Sequence, residues 1–326
     1  MGAGTWGTVM AAHLHQAGHG VVLWHYRAEF AHDLSATRRH PHLAEFELPR
    51  GIPVTSNLEK ALSKCDIAVV AIPSQKVRAV LGSHPALFRG RRVANLTKGI
   101  EVGTLQRMSE VIASETGLSP DRIASIYGPS HAEEVMRQAP TTLVAASTNL
   151  DYARELQKVF STRYLRVYAN RDIIGVELGG SVKNVIAIAA GISTGLGFGD
   201  NTLAALTTRG LAEITRLGLA MGADAATFAG LSGVGDLAVT VYSRHSRNRQ
   251  LGLEMGRGGN YQEILAEMGM VAEGVGTARS VMGLAEKYGV SLPICQEVYQ
   301  ILFEGKDPRS AISALMSRDL RDETLD

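Results

Sequence analysis

In the first half of this chain, short apolar runs alternate with helical periodicity; after about residue 170 only the helical periodicity remains. Strand-like runs stand at Val21–Trp24, Ile67–Ile72, Val93–Leu96, Ile123–Tyr127, Thr142–Ala145 and Tyr164–Val167. The run Ile67–Ile72, stopped by Pro73, is continuous rather than alternating, as in a strand buried on both faces. Between these runs, Thr8–Gln16, Leu58–Lys64, Gln75–Leu81, Leu105–Glu115 and Ala132–Arg137 carry helical spacing. Strands alternating with helices imply βαβ units and a mostly parallel sheet. Past a bend at 168–172, the segments Ile173–Gly195, Leu203–Met221, Arg249–Met255, Gln262–Met268, Thr277–Lys287, Gln296–Phe303 and Arg309–Met316 all fit helices. The expected fold class is α/β: a parallel-sheet domain over 1–170 and an all-helical domain over 171–326. At about 150 residues per domain, 326 residues accommodate both.

Composition excludes several classes. Two cysteines, Cys65 and Cys295, make neither a disulfide framework nor a four-thiolate zinc site, and their scarcity fits a reducing, cytoplasmic setting. None of the ten histidines has metal-ligand spacing, so no metal is expected. A net charge of +1 argues against a nucleic-acid partner but leaves room for a local basic pocket. The amino terminus lacks the pattern of a signal peptide, and Trp6 stands where a myristoylation motif has Ser or Thr. No apolar run reaches the roughly 18–20 residues that span a bilayer, so no membrane insertion is expected; Val185–Ile192 reads as a buried helix. The 35 glycines, about one residue in nine where about 7% is usual, point to close backbone approaches.

The residues Gly2, Gly4 and Gly7 fit G-x-G-x-x-G, whose glycines allow a tight turn, a close pyrophosphate and helix packing. A plain turn would match the same pattern, but with the alternating strands and helices the expectation is a Rossmann-like dinucleotide-binding domain over 1–170, leaving the helical domain 171–326 to the substrate. That fold places a strand directly before the loop, whereas this chain begins at the loop, so the first strand is expected either upstream of Met1 or absent from the sheet. No carboxylate stands at His25-Tyr26-Arg27, where one would hold the ribose of NAD; Arg27 suits a 2′-phosphate or is a solvated surface arginine. Lys98, just past a strand, faces substrate or solvent. Gly128 and Ser130 open a helix as an anion site, as its cap, or as both. Lys183 is the sharpest feature. A lysine on an otherwise apolar helix is partly desolvated, which lowers its pKa and suits acid–base work, unless its head snorkels to water. Arg244, Arg247 and Arg249, set among hydroxyl and amide groups, suit a phosphate or form a solvated loop.

Taken together, these pieces resemble the bacterial-type NAD(P)-dependent glycerol-3-phosphate dehydrogenase family. The likeness rests on GAGTWGT from Gly2, NLTKGIE around Lys98, YGPSHAEEV around Ser130, GVELGGSVKNVIAIAAGI around Lys183, GLSGVGDL around Asp236, SRNR at 246–249 and VAEG at 271–274. It runs from Gly2 to about Arg309. The resemblance implies reversible hydride transfer between sn-glycerol 3-phosphate and dihydroxyacetone phosphate with NADH or NADPH (NAD+ or NADP+), supplying phospholipid synthesis, in a cytoplasmic homodimer. It implies Lys183 as the proton donor and acceptor. Lys98, Gly128, Ser130, Lys183, Asp236, Ser246, Arg247 and Asn248 would line the phosphorylated substrate. Gly2, Gly4, Thr5, Trp6, Gly7, Tyr26, Arg27, Lys98, Ala132, Arg247, Val271 and Glu273 would touch the cofactor. His131 stands where many relatives carry Phe, and 42–45 departs from a Tyr-Leu-Pro-Gly-like stretch. A different Rossmann-plus-helical dehydrogenase, or a nucleotide-binding regulator without catalysis, would share the architecture.

Overall fold

A computed structural model describes residues 1–269, 271–320 and 322–323. The chain divides into two compact units, Met1–Thr97 with Met108–Ile173, and Lys98–Arg107 with Ile174–Asp326. The segment 98–107, which the sequence reading leaves in the first domain, clusters with the helical unit.

The first unit holds seven strands: β1 (Leu23–Trp24), β2 (Val54–Thr55), β3 (Ile67–Val70), β4 (Arg92–Asn95), β5 (Ile123–Tyr127), β6 (Thr141–Ala146) and β7 (Leu165–Asn170). β1 and β2 form a parallel pair; the other five form a sheet in order β3-β4-β5-β6-β7. All five residues of β5 are buried, as a central strand requires. β5 and β6 pair antiparallel, with Ile126 opposite Ala145, while the other neighbours run parallel. The connection between those two carries a helix of only five residues, Ala132–Met136, and reverses the chain instead of carrying it back over the sheet.

Between β1 and β3 the sheet is interrupted, and Met1 and Gly2 bridge the interruption. The Met1 ammonium donates to Val69 O at 2.6 Å, Ala71 N donates to Met1 O at 2.9 Å, and Gly2 N donates to Trp24 O at 2.9 Å. No strand precedes the glycine loop among the described residues, yet these bonds fix its entry. From there the helix Thr5–Gln16 runs with Gly7–Leu14 buried.

Two helices here escape the sequence reading. Leu150–Phe160 buries Tyr152, Ala153, Leu156 and Phe160, a spacing that is plain once seen but sits among charged residues. Ala28–Thr37 buries only Ala31 and Leu34, too little for a periodic signal. The helix expected over Leu105–Glu115 begins at Met108, because Leu105 has a φ of 61° and cannot belong to a right-handed helix.

The second unit is built on the helix Ile173–Gly195, whose Val182, Val185, Ile186, Ile188 and Ile192 belong to one core with residues such as Leu217, Phe228, Leu251 and Val281. This helix of 23 residues, with an 18-residue stretch of mean hydropathy 1.5, is long and apolar enough to cross a membrane, which corrects the expectation that no such run exists; so, at 1.2, is Ala225–Tyr242. The first is 94% buried, which accounts for its apolar character as protein core. Lys98–Arg107 is tied to this unit by a buried ion pair from Arg107 Nη1 to Glu177 Oε2 at 2.6 Å, by Gly99 N donating to Ser181 Oγ at 2.9 Å, and by Ser280 Oγ donating to Ile100 O at 3.1 Å. The helix Arg247–Gly256 crosses Ile173–Gly195 backbone to backbone: a Cβ at Gly252 would meet Ile188 O, and one at Gly191 would meet Arg249 O.

Candidate active site

Lys183 lies in the middle of its helix and is 5% exposed. Such a lysine needs partners, because an unpaired buried ammonium is strongly disfavoured. Its Nζ donates to Asp236 Oδ1 at 2.5 Å and to Thr240 Oγ1 at 2.5 Å. Asp236, fully buried, opens the helix Asp236–Tyr242 after the wide turn Leu231–Gly235. Thr240 follows one helical turn later on the same face, and its hydroxyl donates back to Asp236 O at 2.6 Å. Lys98 Nζ donates to the other carboxylate oxygen, Asp236 Oδ2, at 2.7 Å. One carboxylate thus aligns two lysines. Burial pulls the Lys183 ammonium from its ordinary value down to about 7; the Asp236 carboxylate opposes that fall and the neighbouring Lys98 charge adds to it. The snorkelling alternative fails, because the head group ends on buried partners.

A second group of polar side chains flanks this cluster. Asn248 Oδ1 accepts from Gly274 N at 2.9 Å, and a Cβ at Gly274 would meet both Asn248 Oδ1 and Asn184 O. Gly274 therefore joins the helix that carries Lys183 to the one that carries Arg247 and Asn248. Ser246 caps the latter, accepting from Arg249 N at 3.3 Å, and Arg247 Nη1 donates to Val271 O at 2.9 Å. Glu273 opens the helix Glu273–Tyr288. Lys98, Lys183 and Asp236 are brought together, and Ser246, Arg247, Asn248, Val271 and Glu273 are brought together beside them.

In the first unit, Gly2 has a φ of 94°, and a Cβ there would strike Ala71 O, so only glycine makes this turn. A Cβ at Gly7 would strike Gly2 O. Gly4, exposed and with open space around it, stands at the N-terminus of Thr5–Gln16 without a side-chain cap. The first-turn amides of Thr5, Trp6 and Gly7 are thus available to an anion, and the loop fits a dinucleotide pyrophosphate. His40 Nε2 lies 3.1 Å from Ala3 O and braces the loop from behind. At the end of β1, the Arg27 guanidinium stacks over the exposed Tyr26 ring, 5.4 Å from its centroid. After β5, Gly128 has a φ of 140°, Ser130 Oγ donates to Gly128 O at 3.1 Å, and Ala132 begins the short helix behind His131.

Two residues at these places escape sequence reasoning. Thr240 gives no signal of its own; only its position four residues after Asp236 could have suggested it. His40 stands just before the stretch 42–45 and gives no signal of its own.

Both halves of the chain match family models: residues 1–153 match the NAD-dependent glycerol-3-phosphate dehydrogenase N-terminus and residues 172–313 its C-terminus. Over 326 residues the chain is 49% identical to a glycerol-3-phosphate dehydrogenase (NAD(P)+) of Chlorobium luteolum, covering 99% of this chain and 98% of the relative. It is 50% identical over 325 residues to one of two such enzymes of Salinibacter ruber, covering 99% and 94%. The crystal structure of glycerol-3-phosphate dehydrogenase from Coxiella burnetii superposes with a TM-score of 0.91 at 37% identity, over 97% of each chain. With matching sequence over both halves and matching architecture, the chain belongs to the NAD-dependent glycerol-3-phosphate dehydrogenase family.

Proposed function

We propose that this protein interconverts sn-glycerol 3-phosphate and dihydroxyacetone phosphate with NAD(H) or NADP(H). The observation that carries the reading is the buried Lys98–Asp236–Lys183–Thr240 cluster, a proton-transfer group poised near neutrality. When bound, the nicotinamide supplies or accepts the hydride, and with it both electrons. Lys183 donates a proton to the oxygen of the C2 carbonyl as that carbon is reduced, and its neutral amine takes the proton from the C2 hydroxyl in reverse. Asp236 and Thr240 hold the amine in place, and Lys98 adds a positive charge that favours the developing alkoxide. Arg247 and Asn248, with Ser246 at the start of their helix, hold the substrate phosphate, and the family resemblance assigns Gly128 and Ser130 to the substrate as well. The amides of the Gly2–Gly7 loop hold the pyrophosphate, Tyr26 and Arg27 the adenosine end, and Ala132, Val271 and Glu273 further parts of the dinucleotide. Dinucleotide binding belongs to 1–170 and substrate chemistry to 171–326, with Lys98 contributed from the first stretch of sequence. The phosphorylated product feeds phospholipid synthesis, and the enzyme works in the cytoplasm as a homodimer.

A substrate panel followed at 340 nm tests this reading. Turnover with dihydroxyacetone phosphate and no turnover with unphosphorylated dihydroxyacetone or with 2-oxo acids is expected. Faster reduction of a 2-oxo acid would assign the site to a hydroxyacid dehydrogenase instead.

A further inference from the structure

The carboxylate that joins the two lysines follows a stretch of irregular backbone. Leu231–Gly235 forms a π-helical turn, closed by Gly235 N donating to Gly230 O at 3.2 Å. Such turns are rare and occur mostly at functional sites. This one leads directly into Asp236 and lies on the helix Ile173–Gly195. A Cβ at Gly179 would stand 2.4 Å from Ser232 O and 3.1 Å from Ser232 C, and both residues are buried. On another side of the turn, a Cβ at Gly233 would stand 2.0 Å from Phe228 O. Phe228 is held in its turn, since a Cβ at Gly218 would stand 2.1 Å from its ring. The turn is therefore packed against backbone on two sides and has no slack. Its register with the helix gives the contact a chemical meaning. Lys183 follows Gly179 by four residues, and Asp236 follows Ser232 by four. Positions four apart on a helix share a face. The Gly179–Ser232 contact thus lies one turn before the Lys183–Asp236 pair on both segments, and Thr240 meets Lys183 one turn further on.

We propose that Gly179 is a positioning residue: by letting the Ser232 carbonyl rest on the helix backbone, it sets the distance between the two segments and so seats Asp236 against the Lys183 amine. What that seating does for turnover rests on the role given to Lys183 above. Gly179→Ala must push Ser232 away, because the atom it meets is backbone and the turn has Phe228 on its other side. Asp236 moves with the turn. Of the charges on the packed elements, Glu177 on the same helix pairs with Arg107, and Arg247 donates to Val271 O. Asp236 and Lys98 act on the Lys183 ammonium, and Asp236 acts more strongly. Weakening its contact leaves burial less opposed and lowers the pH at which the ammonium gives up its proton.

Lysine labelled with carbon-13 at Cε reads that pH by magnetic resonance in the whole, ligand-free chain, with the Lys183 signal assigned by its loss in Lys183→Ala. Trimethylamine N-oxide in every sample keeps the less stable variants folded. In Gly179→Ala the midpoint should fall from about 7 by roughly half a pH unit or more, and the inflection in single-turnover reduction of dihydroxyacetone phosphate should fall with it. Gly191→Ala is the control for packing alone. Its Cβ would stand 2.1 Å from Arg249 O, an equally close backbone contact on the same helix that leads to neither Asp236 nor Lys98. It should lower the melting temperature as Gly179→Ala does and leave the midpoint in place. In Asp236→Asn, which already lacks the carboxylate, adding Gly179→Ala should move the midpoint no further. A midpoint unmoved in Gly179→Ala, an equal shift in Gly191→Ala, or a shift of the same size in the Asp236→Asn background would overturn the proposal. A midpoint that falls while the rate inflection stays would uphold the seating of Asp236 and overturn Lys183 as the proton donor instead.

Discussion

Lys183, Arg247 and Arg27 are three cations with three different fates, and the difference lies in what surrounds each. Burial pulls the Lys183 ammonium down to about 7, against the opposing pull of its Asp236 partner. Arg247 donates to the Val271 carbonyl and sits at a helix N-terminus in a polar setting. Replacing it by Ala opens no core cavity, so stability should hold while a charge-assisted phosphate contact worth about 1.5–3 kcal/mol is lost. The Michaelis constant for dihydroxyacetone phosphate should rise by about 10–100-fold; an unchanged constant with an unchanged melting temperature would remove Arg247 from the phosphate site. Arg27 is stacked on Tyr26, and no carboxylate stands at 25–27 to repel a 2′-phosphate. Arg27→Ala should weaken NADPH binding by about tenfold, or about 1.4 kcal/mol, and leave NADH binding unchanged. Equal losses for both dinucleotides, read by fluorescence titration, would contradict that role. Lys183 was legible in the sequence because a charge in an apolar helix must be either neutralised or used. Thr240 was not, since a threonine inside a helix is ordinary until the partner of its hydroxyl is known. That Asp236 joins two lysines 85 residues apart in sequence is likewise a fact of tertiary structure.

At the scale of elements, the long helices of the second unit were readable to within four residues at each end. Ile173–Gly195 begins and ends where its periodicity does, because packing on several sides keeps the pattern uniform. The short strands β1 and β2, two residues each, were not equally readable, since their length is set by pairing with a neighbour and not by their own residues. Glycines in helices carry a signal whose meaning only the fold supplies. Gly252 costs intrinsic helix propensity but lets two helix backbones touch. Gly252→Ala would place a Cβ against Ile188 O and 2.9 Å from Ile192 N. The helices must separate, and overpacking of this kind costs about 1–3 kcal/mol. The urea midpoint should fall accordingly, and substrate affinity with it, because Arg247 and Asn248 ride on that helix. Gly199→Ala, where an added Cβ meets nothing within 4 Å, serves as the neutral control. A Gly252→Ala protein as stable as this control would show that the crossing is looser than its backbone contacts imply.

For the whole molecule, the alternation of strand and helix followed by helices alone indicated an α/β unit and a helical unit, and both are present. The excursion of 98–107 into the helical unit was not legible. It depends on the Arg107–Glu177 pair and on Ser181 and Ser280, residues far apart in sequence that carry no local pattern. Its consequence is chemical, since it carries Lys98 to Asp236. The reversal between β5 and β6 was equally silent, because buried strands look alike whichever way they run. The account converges on one group, the Lys183 amine, and the pH dependence of single-turnover rates tests it most directly. Reduction of dihydroxyacetone phosphate needs the ammonium, so its rate should be full below about 7 and fall as the pH rises through that value; oxidation of glycerol 3-phosphate needs the neutral amine and should rise over the same range. In Lys183→Ala both rates should drop by about 10²–10⁴-fold and lose that inflection, while tryptophan quenching by NADPH is retained. A variant that turns over at a near-normal rate, or that keeps the inflection near neutrality, would contradict the assignment of Lys183 as the proton donor.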